Sequence, residues 1–140
     1  MPTSIRKSRT PSGGSVETRR EILHAVGWQV HVRAGMWSPP TDVYETEKNY
    51  VVRVEIAGMR EEDFEITVED KFLTISGNRP DVPERRAYQQ MEIRFGKFET
   101  AVGLPGPIEL ETSRADYAEG FLTVTLPKAK PSQVIVEDET

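Results

Sequence analysis

Apolar and polar residues alternate with a period of two along most of the chain beyond residue 40. Four runs show the alternation, with apolar residues on one side at positions 50–56, 64–68, 73–75 and 122–126. Gly, Asn, Asp and Pro residues stand between the runs, as is typical of turns. Strands with one apolar and one polar face bury their apolar faces against each other. The pattern therefore predicts an all-β fold, a two-sheet antiparallel sandwich of about seven to nine strands.

The first 36 residues lack this pattern and predict an arm outside the sandwich. Residues 1–15 are rich in Ser, Thr, Gly, Pro and Arg, a composition typical of disorder. Residues 22–26 fit one face of a helical turn, whereas residues 28–33 alternate as a strand does. The arm has six basic and two acidic residues, although the whole chain carries a net charge of −5. We interpret it as a partly disordered arm, with contact to nucleic acid or a membrane surface as the alternative.

Two prolines at positions 39 and 40 mark the boundary between the arm and the sandwich, because neither can donate a backbone hydrogen bond. We place the sandwich domain at residues 37–128 and a C-terminal extension at residues 129–140. The extension contains three consecutive β-branched residues, Val134-Ile135-Val136, between a polar linker and an acidic terminus. This triplet is either one more core strand or a peptide that docks onto a groove elsewhere.

Composition narrows the chemistry of the protein. The chain of 140 residues has no cysteine, which excludes disulfides, thiol nucleophiles and cysteine–zinc sites. The two histidines, His24 and His31, have no nearby carboxylate in a metal-ligand pattern, so we expect no metal. The sequence contains no phosphate-cradling glycine loop, dinucleotide fingerprint or Gly-x-Ser-x-Gly elbow, so we expect neither a cofactor nor an enzyme. No apolar run approaches the roughly 20 residues that cross a bilayer and no secretory signal is visible, so we expect a soluble, cytoplasmic protein.

A series of short motifs follows in order between residues 37 and 128. The motifs are Trp37-Ser38-Pro39-Pro40-Thr41-Asp42-Val43-Tyr44-Glu45, Ile56-Ala57-Gly58-Met59, Phe72-Leu73-Thr74-Ile75-Ser76-Gly77-Asn78-Arg79, Gly96-Lys97-Phe98, Gly103-Leu104-Pro105 and Ala115-Asp116-Tyr117-Ala118-Glu119-Gly120-Phe121-Leu122-Thr123-Val124-Thr125-Leu126-Pro127-Lys128. In order and spacing they resemble the alpha-crystallin domain of small heat-shock proteins, in its bacterial and plant branch. The resemblance implies an immunoglobulin-like antiparallel β-sandwich.

The resemblance also implies a role for the C-terminal triplet. The family has an Ile-x-Ile/Val motif after a flexible linker, which docks between the fourth and eighth strands of a neighbouring subunit. Val134 and Val136 lie on the same side of a short strand and are the expected anchors. The groove maps by motif to Phe64, Ile66, Val68, Ser113 and Ala115. The first three of these also fit an ordinary core. Val134 stands in the slot where the family motif has Ile, and one methylene less, worth about 0.8 kcal/mol if fully buried, predicts weaker docking.

Residues 80–90 are polar and lack apolar alternation. In the bacterial and plant branch, this region carries a strand that is exchanged with the partner subunit to form the dimer. By resemblance, the exchanged residues are Arg86, Ala87 and Tyr88. They would pair with Val43, Tyr44 and Glu45 of the other chain. A plain surface loop is the alternative interpretation.

In function, the chain resembles an ATP-independent holdase chaperone that works as an oligomer built from dimers. Such a protein binds partly unfolded clients before they aggregate and passes them to ATP-driven chaperones. Because a poorly specified segment adapts to many apolar surfaces, we expect the arm to bind clients. The candidate contacts, which could instead pack inside the oligomer, are Ile22, Leu23, Val26, Trp28, Val30, Val32, Met36 and Trp37. A co-chaperone or adaptor sandwich that binds one folded partner is the alternative from another class.

Four positions depart from the family pattern. Thr100 stands where many members have an Arg, and Val102 replaces a common aromatic residue. Ala57 replaces a turn proline, and Ser113 stands where an apolar residue is frequent. We expect these departures to alter details of assembly more than the fold.

Overall fold

The structure is a computed structural model that describes residues 5–7, 30–31, 35–130 and 136 of the chain. Within these residues, nine strands form two sheets that share one hydrophobic core. The strands in chain order are β1 (Ile5–Lys7), β2 (Val30–His31), β3 (Thr41–Glu45), β4 (Asn49–Glu55), β5 (Glu65–Glu69), β6 (Phe72–Arg79), β7 (Gly96–Gly103), β8 (Arg114–Ala118) and β9 (Phe121–Pro127). Single 3₁₀ turns precede two of them, at Glu61–Asp63 and Leu110–Thr112. The predicted β-sandwich is confirmed.

The order of the strands determines which of them lie at the sheet edges. One sheet has the order β3-β4-β9-β8, and all its neighbours are antiparallel. The other has the order β1-β5-β6-β7-β2. Its neighbours are antiparallel except for β1 and β5, which pair in parallel. Without the two short strands of the arm, the outer strands of this second sheet would be β5 and β7.

The core consists of the apolar side chains that the alternation directs to the inner face of each strand. The apolar residues with no exposed surface are Val52, Val54, Ile56, Leu73, Ile75, Phe98, Val102, Ala115, Leu122, Val124 and Leu126. Burying one Val, Leu, Ile or Phe side chain stabilises a fold by about 1.5–3 kcal/mol relative to leaving it exposed. The four alternating runs of the sequence thus supply most of the core.

Two local features explain why glycine stands where the motifs have it. Glu119 and Gly120 have φ angles of 53° and 82°, so they form the tight turn between β8 and β9, where glycine removes the strain of a left-handed residue. At Gly77, an added Cβ would lie 2.7 Å from Cζ of Phe98 and 3.0 Å from the carbonyl oxygen of Asp63. Only a residue without a side chain lets β6 pass this closely under the aromatic ring.

The arm contributes to the larger sheet in a way that its composition did not predict. Residues 1–15 predict disorder, yet Ile5–Lys7 form a strand that pairs with β5. The alternation at residues 28–33 predicts a strand, and Val30–His31 indeed pair with β7. Both strands are short, so the pairing energy comes from few main-chain hydrogen bonds.

Candidate functional site

The predicted docking groove (Phe64, Ile66, Val68, Ser113 and Ala115) lies where β5 and β8 approach each other at one side of the sandwich. Phe64 directly precedes β5, and its ring centroid is 5.0 Å from that of Tyr117 on β8 in an edge-to-face contact. Phe64, Ile66 and Val68 are each at most 6% exposed and belong to the main core cluster. The three residues are therefore core residues in this chain, and their contact with a docked peptide stays a prediction.

The other two groove residues lie at the start of β8. Ala115 is fully buried in the same core cluster. Ser113 is partly buried, and its hydroxyl donates a hydrogen bond of 2.8 Å to the carbonyl oxygen of Glu109. This hydrogen bond satisfies the hydroxyl locally, so the departure from an apolar residue is accommodated by the preceding turn.

The long side of β5 that faces away from β6 is covered by β1. Ile5 lies beside Ile66 and Lys7 beside Val68 in the parallel register. Ile5 is partly buried and packs against the core cluster. Val136 of the C-terminal triplet is 87% exposed, and Val134 lies outside the described residues.

Residues 80–95 form a loop without regular secondary structure, which we call the long loop. Structureless loops of more than about 12–15 residues are uncommon in compact domains and are usually functional. Residues 80–94 are all exposed, although several are large and apolar. The exposed large apolar residues of the loop are Val82, Tyr88, Met91 and Ile93. The loop thus presents apolar surface that its own sandwich does not bury.

Part of this surface could have been found in the sequence. Met91, Ile93 and Phe95 alternate with Glu92 and Arg94, which is the period of a strand. The exchanged region expected from the resemblance ends at residue 90 and does not include this run. In the structure these residues line an open depression together with Gly35, Met36 and Trp37, which we call the entry segment of the sandwich.

Arg79 lies at the neck of the long loop, the point where β6 ends and β7 begins. It is the last residue of β6 and lies opposite Gly96, the first residue of β7. Its Nε donates a hydrogen bond of 2.8 Å to the carbonyl oxygen of Arg94. Its guanidinium carbon lies 4.5 Å from the ring centroid of Trp37 and 5.6 Å from that of Phe95. The guanidinium therefore connects the two ends of the loop to the entry segment, a role that the motif alone did not reveal.

The residues predicted to exchange between subunits lie at two exposed places. Val43, Tyr44 and Glu45 belong to β3, the outer strand of the smaller sheet, and Tyr44 is 46% exposed. Within the loop, Arg86 Nε donates to the carboxylate of Glu84 at 2.5 Å, and its Nη1 lies 3.5 Å from the hydroxyl of Tyr88. Ala87 is exposed between them.

Both hydrogen bonds stabilise the charged form of Arg86. The bond to Tyr88, followed by the bond to Glu84, raises the pKa of the guanidinium. Arginine is ionised at every pH at which proteins stay folded, so the side chain is a fixed positive charge on the loop.

The C-terminal extension leaves the sandwich beside β3. After β9, Lys128 pairs with Ile108 in an isolated bridge. Its ammonium lies 2.7 Å from a carboxylate oxygen of Glu45 and 5.1 Å from the ring centroid of Tyr50. These contacts hold Lys128, the last residue of the sandwich domain, against the smaller sheet, directly before the extension begins.

Of the predicted client contacts in the arm, the structure describes Val30, Met36 and Trp37. Trp37 packs on the ring of Phe98 at 5.6 Å, and its Nε1 donates to the carbonyl oxygen of Gly96 at 3.2 Å. In this chain Trp37 is thus a structural contact, and client binding by it stays a prediction. Outside the described residues lie Ile22, Leu23, Val26, Trp28 and Val32, as does His24.

Three other departures from the family pattern are placed by the structure. Thr100 is fully buried, and its hydroxyl oxygen lies 3.4 Å from the hydroxyl oxygen of Thr41. Val102 is fully buried as well, whereas Ala57 is exposed. The site of Thr100 thus holds a small polar side chain inside the core, where an arginine would need room and a partner.

Two searches of the described parts of the chain concern other kinds of site. No group of three His, Cys, Asp or Glu side chains there could hold a metal ion. In the same residues, no helix has the length and apolar character needed to span a membrane.

Comparison with known proteins identifies the family. The sequence profile of the Hsp20/alpha crystallin family matches residues 42–138. The chain belongs to the Hsp20/alpha crystallin family. Heat shock protein 16 of Schizosaccharomyces pombe is 35% identical to it over 103 residues, which are 71% of the chain and 72% of that protein. The 19.0 kDa class II heat shock protein of Oryza sativa subsp. japonica is 34% identical over 127 residues, 84% of the chain and 73% of that protein.

Solved structures of small heat shock proteins have the same fold. Heat shock protein 16.0 from Schizosaccharomyces pombe has a TM-score of 0.65 and 31% identity, over 77% of this Hsp20 chain and 86% of that one. HSP18.5 from E. histolytica has a TM-score of 0.60 and 26% identity, over 74% of this chain and all of that one. The family predicted from the motifs is confirmed.

Proposed function

We propose that this Hsp20-family chain is an ATP-independent holdase chaperone that works as an oligomer built from dimers. It acts by binding partly unfolded proteins in the cytoplasm, rather than by catalysis, and passes them to ATP-driven chaperones. Family membership supports the chaperone activity. The observation that carries the mode of action is the position of the exposed large apolar residues, which are Tyr44, Val82, Tyr88, Met91, Ile93 and Val136.

These residues lie on the parts of the chain that are proposed to join subunits. Tyr44 is on the outer strand β3, and Val136 is in the C-terminal triplet. The others are on the long loop. An apolar surface that a single sandwich leaves exposed is typical of a protein that is completed by other copies of itself or by clients.

The proposed dimer forms when the long loop of one subunit adds a strand to β3 of the other. β3 pairs with β4 on one side, so its other side is the outer edge of the sheet. Adding a strand there satisfies main-chain groups and buries Tyr44 together with apolar loop residues. Arg86, Ala87 and Tyr88 are the central residues of the added strand, and the run from Met91 to Phe95 extends it.

Larger oligomers form when Val134 and Val136 of one dimer dock beside Phe64, Ile66 and Val68 of another. Burial of two valine side chains contributes about 3–6 kcal/mol at most before the cost of ordering the extension is subtracted. The net affinity is low enough for subunits to exchange. Exchange uncovers the apolar arm, which binds clients, so assembly and client binding use the same segment.

The test is protection of a heat-labile model client, measured by light scattering with and without ATP. The full chain should suppress aggregation equally in both cases. Deletion of residues 1–36 should reduce the protection several-fold while the circular dichroism of the sandwich persists. Full protection by the truncated chain would transfer client binding to the sandwich, and no protection by the full chain would contradict the holdase function.

A further inference from the structure

The outer strand β3 ends in a carboxylate that is held in place and remains accessible. Glu45 is the last residue of β3, and a carboxylate oxygen of its side chain lies 2.7 Å from the ammonium of Lys128. The side chain of Glu45 is 52% exposed. A carboxylate has two oxygens with about four acceptor positions, so Glu45 can bind a second cation while it keeps the contact with Lys128.

The long loop carries a cation that is held in a similar way. The backbone makes neither a bend nor a turn from Arg85 to Tyr88. Side chains two residues apart lie on one side of an extended chain, and Arg86 contacts both of its neighbours at that spacing. Its Nε donates to the carboxylate of Glu84 at 2.5 Å, and its Nη1 donates to the hydroxyl of Tyr88 at 3.5 Å. Because a guanidinium has five N–H donors, it can bind a further carboxylate beside these two partners.

The direction of the added strand decides which side chains meet in the proposed dimer. In antiparallel order, the cross-strand pairs between residues 86–88 and residues 43–45 are Arg86 with Glu45, Ala87 with Tyr44, and Tyr88 with Val43. An opposite-charge pair and a pair of an aromatic with a β-branched residue are both favourable across strands. In parallel order, the guanidinium would instead lie opposite the apolar side chain of Val43. The side chains therefore favour the antiparallel order.

We propose that an ion pair between Arg86 of one subunit and Glu45 of the other sets the direction and register of the exchanged strand. The inference rests on the proposed dimer, in which the long loop pairs with β3 of a second copy of this chain. In a twofold dimer the ion pair occurs twice. A shift of one residue would move the guanidinium to the other face of the sheet and separate the two charges.

The ion pair also gives the dimer a means of choosing its partner. Charge complementarity across an interface contributes to specificity and register more than to affinity. A chain without a cation at the position of Arg86, or without a carboxylate at the position of Glu45, leaves one charge of the pair unmatched. Such a chain is disfavoured as a partner, and a second copy of this chain is preferred.

The experiment reverses the two charges one at a time in the full chain. In a homodimer, Glu45→Arg places two cations opposite each other, and Arg86→Glu places two carboxylates opposite each other. The dimer dissociation constant of each variant should be about tenfold to a hundredfold higher than that of the parent, because the repulsion occurs twice. Sedimentation measures the constant, and circular dichroism verifies that the strand content persists.

A mixture of the two variants tests the contact itself. In a heterodimer, one contact joins the unchanged Arg86 to the unchanged Glu45, and the other joins the two substituted residues with their signs reversed. Both contacts are attractive, so heterodimers should exceed both homodimers and have an affinity within about threefold of the parent's. Native mass spectrometry with one variant isotope-labelled separates heterodimers from homodimers. Any local damage that the substitutions cause beside Lys128 or Glu84 would persist in the mixture, so it cannot produce this rescue.

Arg85→Glu is the matched control. It makes the same change of charge at the neighbouring loop residue, whose side chain lies on the opposite side of an extended chain. Alone, Arg85→Glu should dimerise as the parent does. Mixed with Glu45→Arg, it should form fewer heterodimers than Arg86→Glu does.

The outcomes separate this inference from the proposed function. If the parent is a monomer at micromolar concentration, the proposed dimer is wrong and the inference fails with it. If both variants dimerise as tightly as the parent, the dimer stands and the ion pair is wrong. The absence of excess heterodimers in the mixture would show that the two residues do not meet, which overturns the inference. Equal heterodimer formation by Arg85→Glu and Arg86→Glu would assign the effect to net charge and overturn it as well.

Discussion

The β5 edge and the β3 edge lie in different sheets and are completed in different ways. At the β5 edge the groove residues are buried, and a strand of three residues from the chain's own arm covers the main chain. At the β3 edge Tyr44 is half-exposed, and the long loop remains exposed with its apolar residues. The first edge is therefore already paired within the subunit, whereas beside the second edge the subunit leaves apolar surface exposed.

The difference predicts an order of strength for the two contacts. In the proposed assembly, docking at the β5 edge buries two valine side chains, so we expect its net gain to be small. In the proposed dimer, the long loop pairs with β3 of the partner and covers Tyr44 and several large loop residues, which are exposed in the single chain. Each large apolar side chain that becomes fully buried contributes about 1.5–3 kcal/mol. We therefore expect a stable dimer and a more labile higher oligomer.

The largest effect is expected from removing the long loop. Because Arg79 and Gly96 are paired at its neck, an Asn-Gly turn can replace residues 80–95 and close β6 and β7 as a hairpin. The sandwich should keep its circular dichroism, and sedimentation should show monomers at micromolar concentration. A variant that remains dimeric would place the dimer contact elsewhere.

The next effect concerns the other edge. Val134→Gly with Val136→Gly should dissociate larger oligomers into dimers, as seen by light scattering, and leave the dimer intact. Ile135→Gly is the control, since it changes the residue on the opposite side of the triplet. Unchanged oligomer mass in the double variant, or equal dissociation by the control, would contradict docking through these two anchors.

A smaller effect is expected at the neck of the loop. Arg79→Gln keeps hydrogen-bonding capacity but removes the cation–π contacts with Trp37 and Phe95, which are worth about 0.5–2 kcal/mol. The dimer dissociation constant should rise by about twofold to thirtyfold, and larger oligomers should weaken only as far as the dimer does. Isothermal dilution calorimetry measures the change. Arg85→Gln, on the exposed part of the same loop, is the control for loss of charge.

The smallest effect is expected from the ion pair within the loop. Glu84→Gln removes the salt bridge to Arg86. The side chain of Glu84 is 60% exposed and that of Arg86 is 35% exposed. Solvent-exposed pairs contribute about 0–1 kcal/mol, so the dimer dissociation constant should change less than about fivefold. A larger change in the same sedimentation assay would show that the pair becomes buried at the subunit contact.

The alternation in the sequence predicts the sandwich because the apolar positions of its four runs are buried in the structure. Val52 and Val54, for example, are apolar members of one run and are fully buried in β4. Phe64 and Ile66, which the motif assigns to the docking groove, also belong to such a run and are buried, and their contact with a docked peptide stays a prediction. The contacts of Arg79 with Trp37 and Phe95 were not predicted, because these residues are distant in the sequence and approach Arg79 only when the chain is folded.

The sequence by itself determined the fold and the family, because a period of two and turn residues are local properties that each strand carries alone. Only the tertiary structure decided what covers the β5 edge, because pairing of Ile5 with Ile66 depends on main-chain hydrogen bonds between distant segments. Such bonds form with almost any side chain, so a segment with the composition of Ile5–Lys7 carries no local sign of its partner.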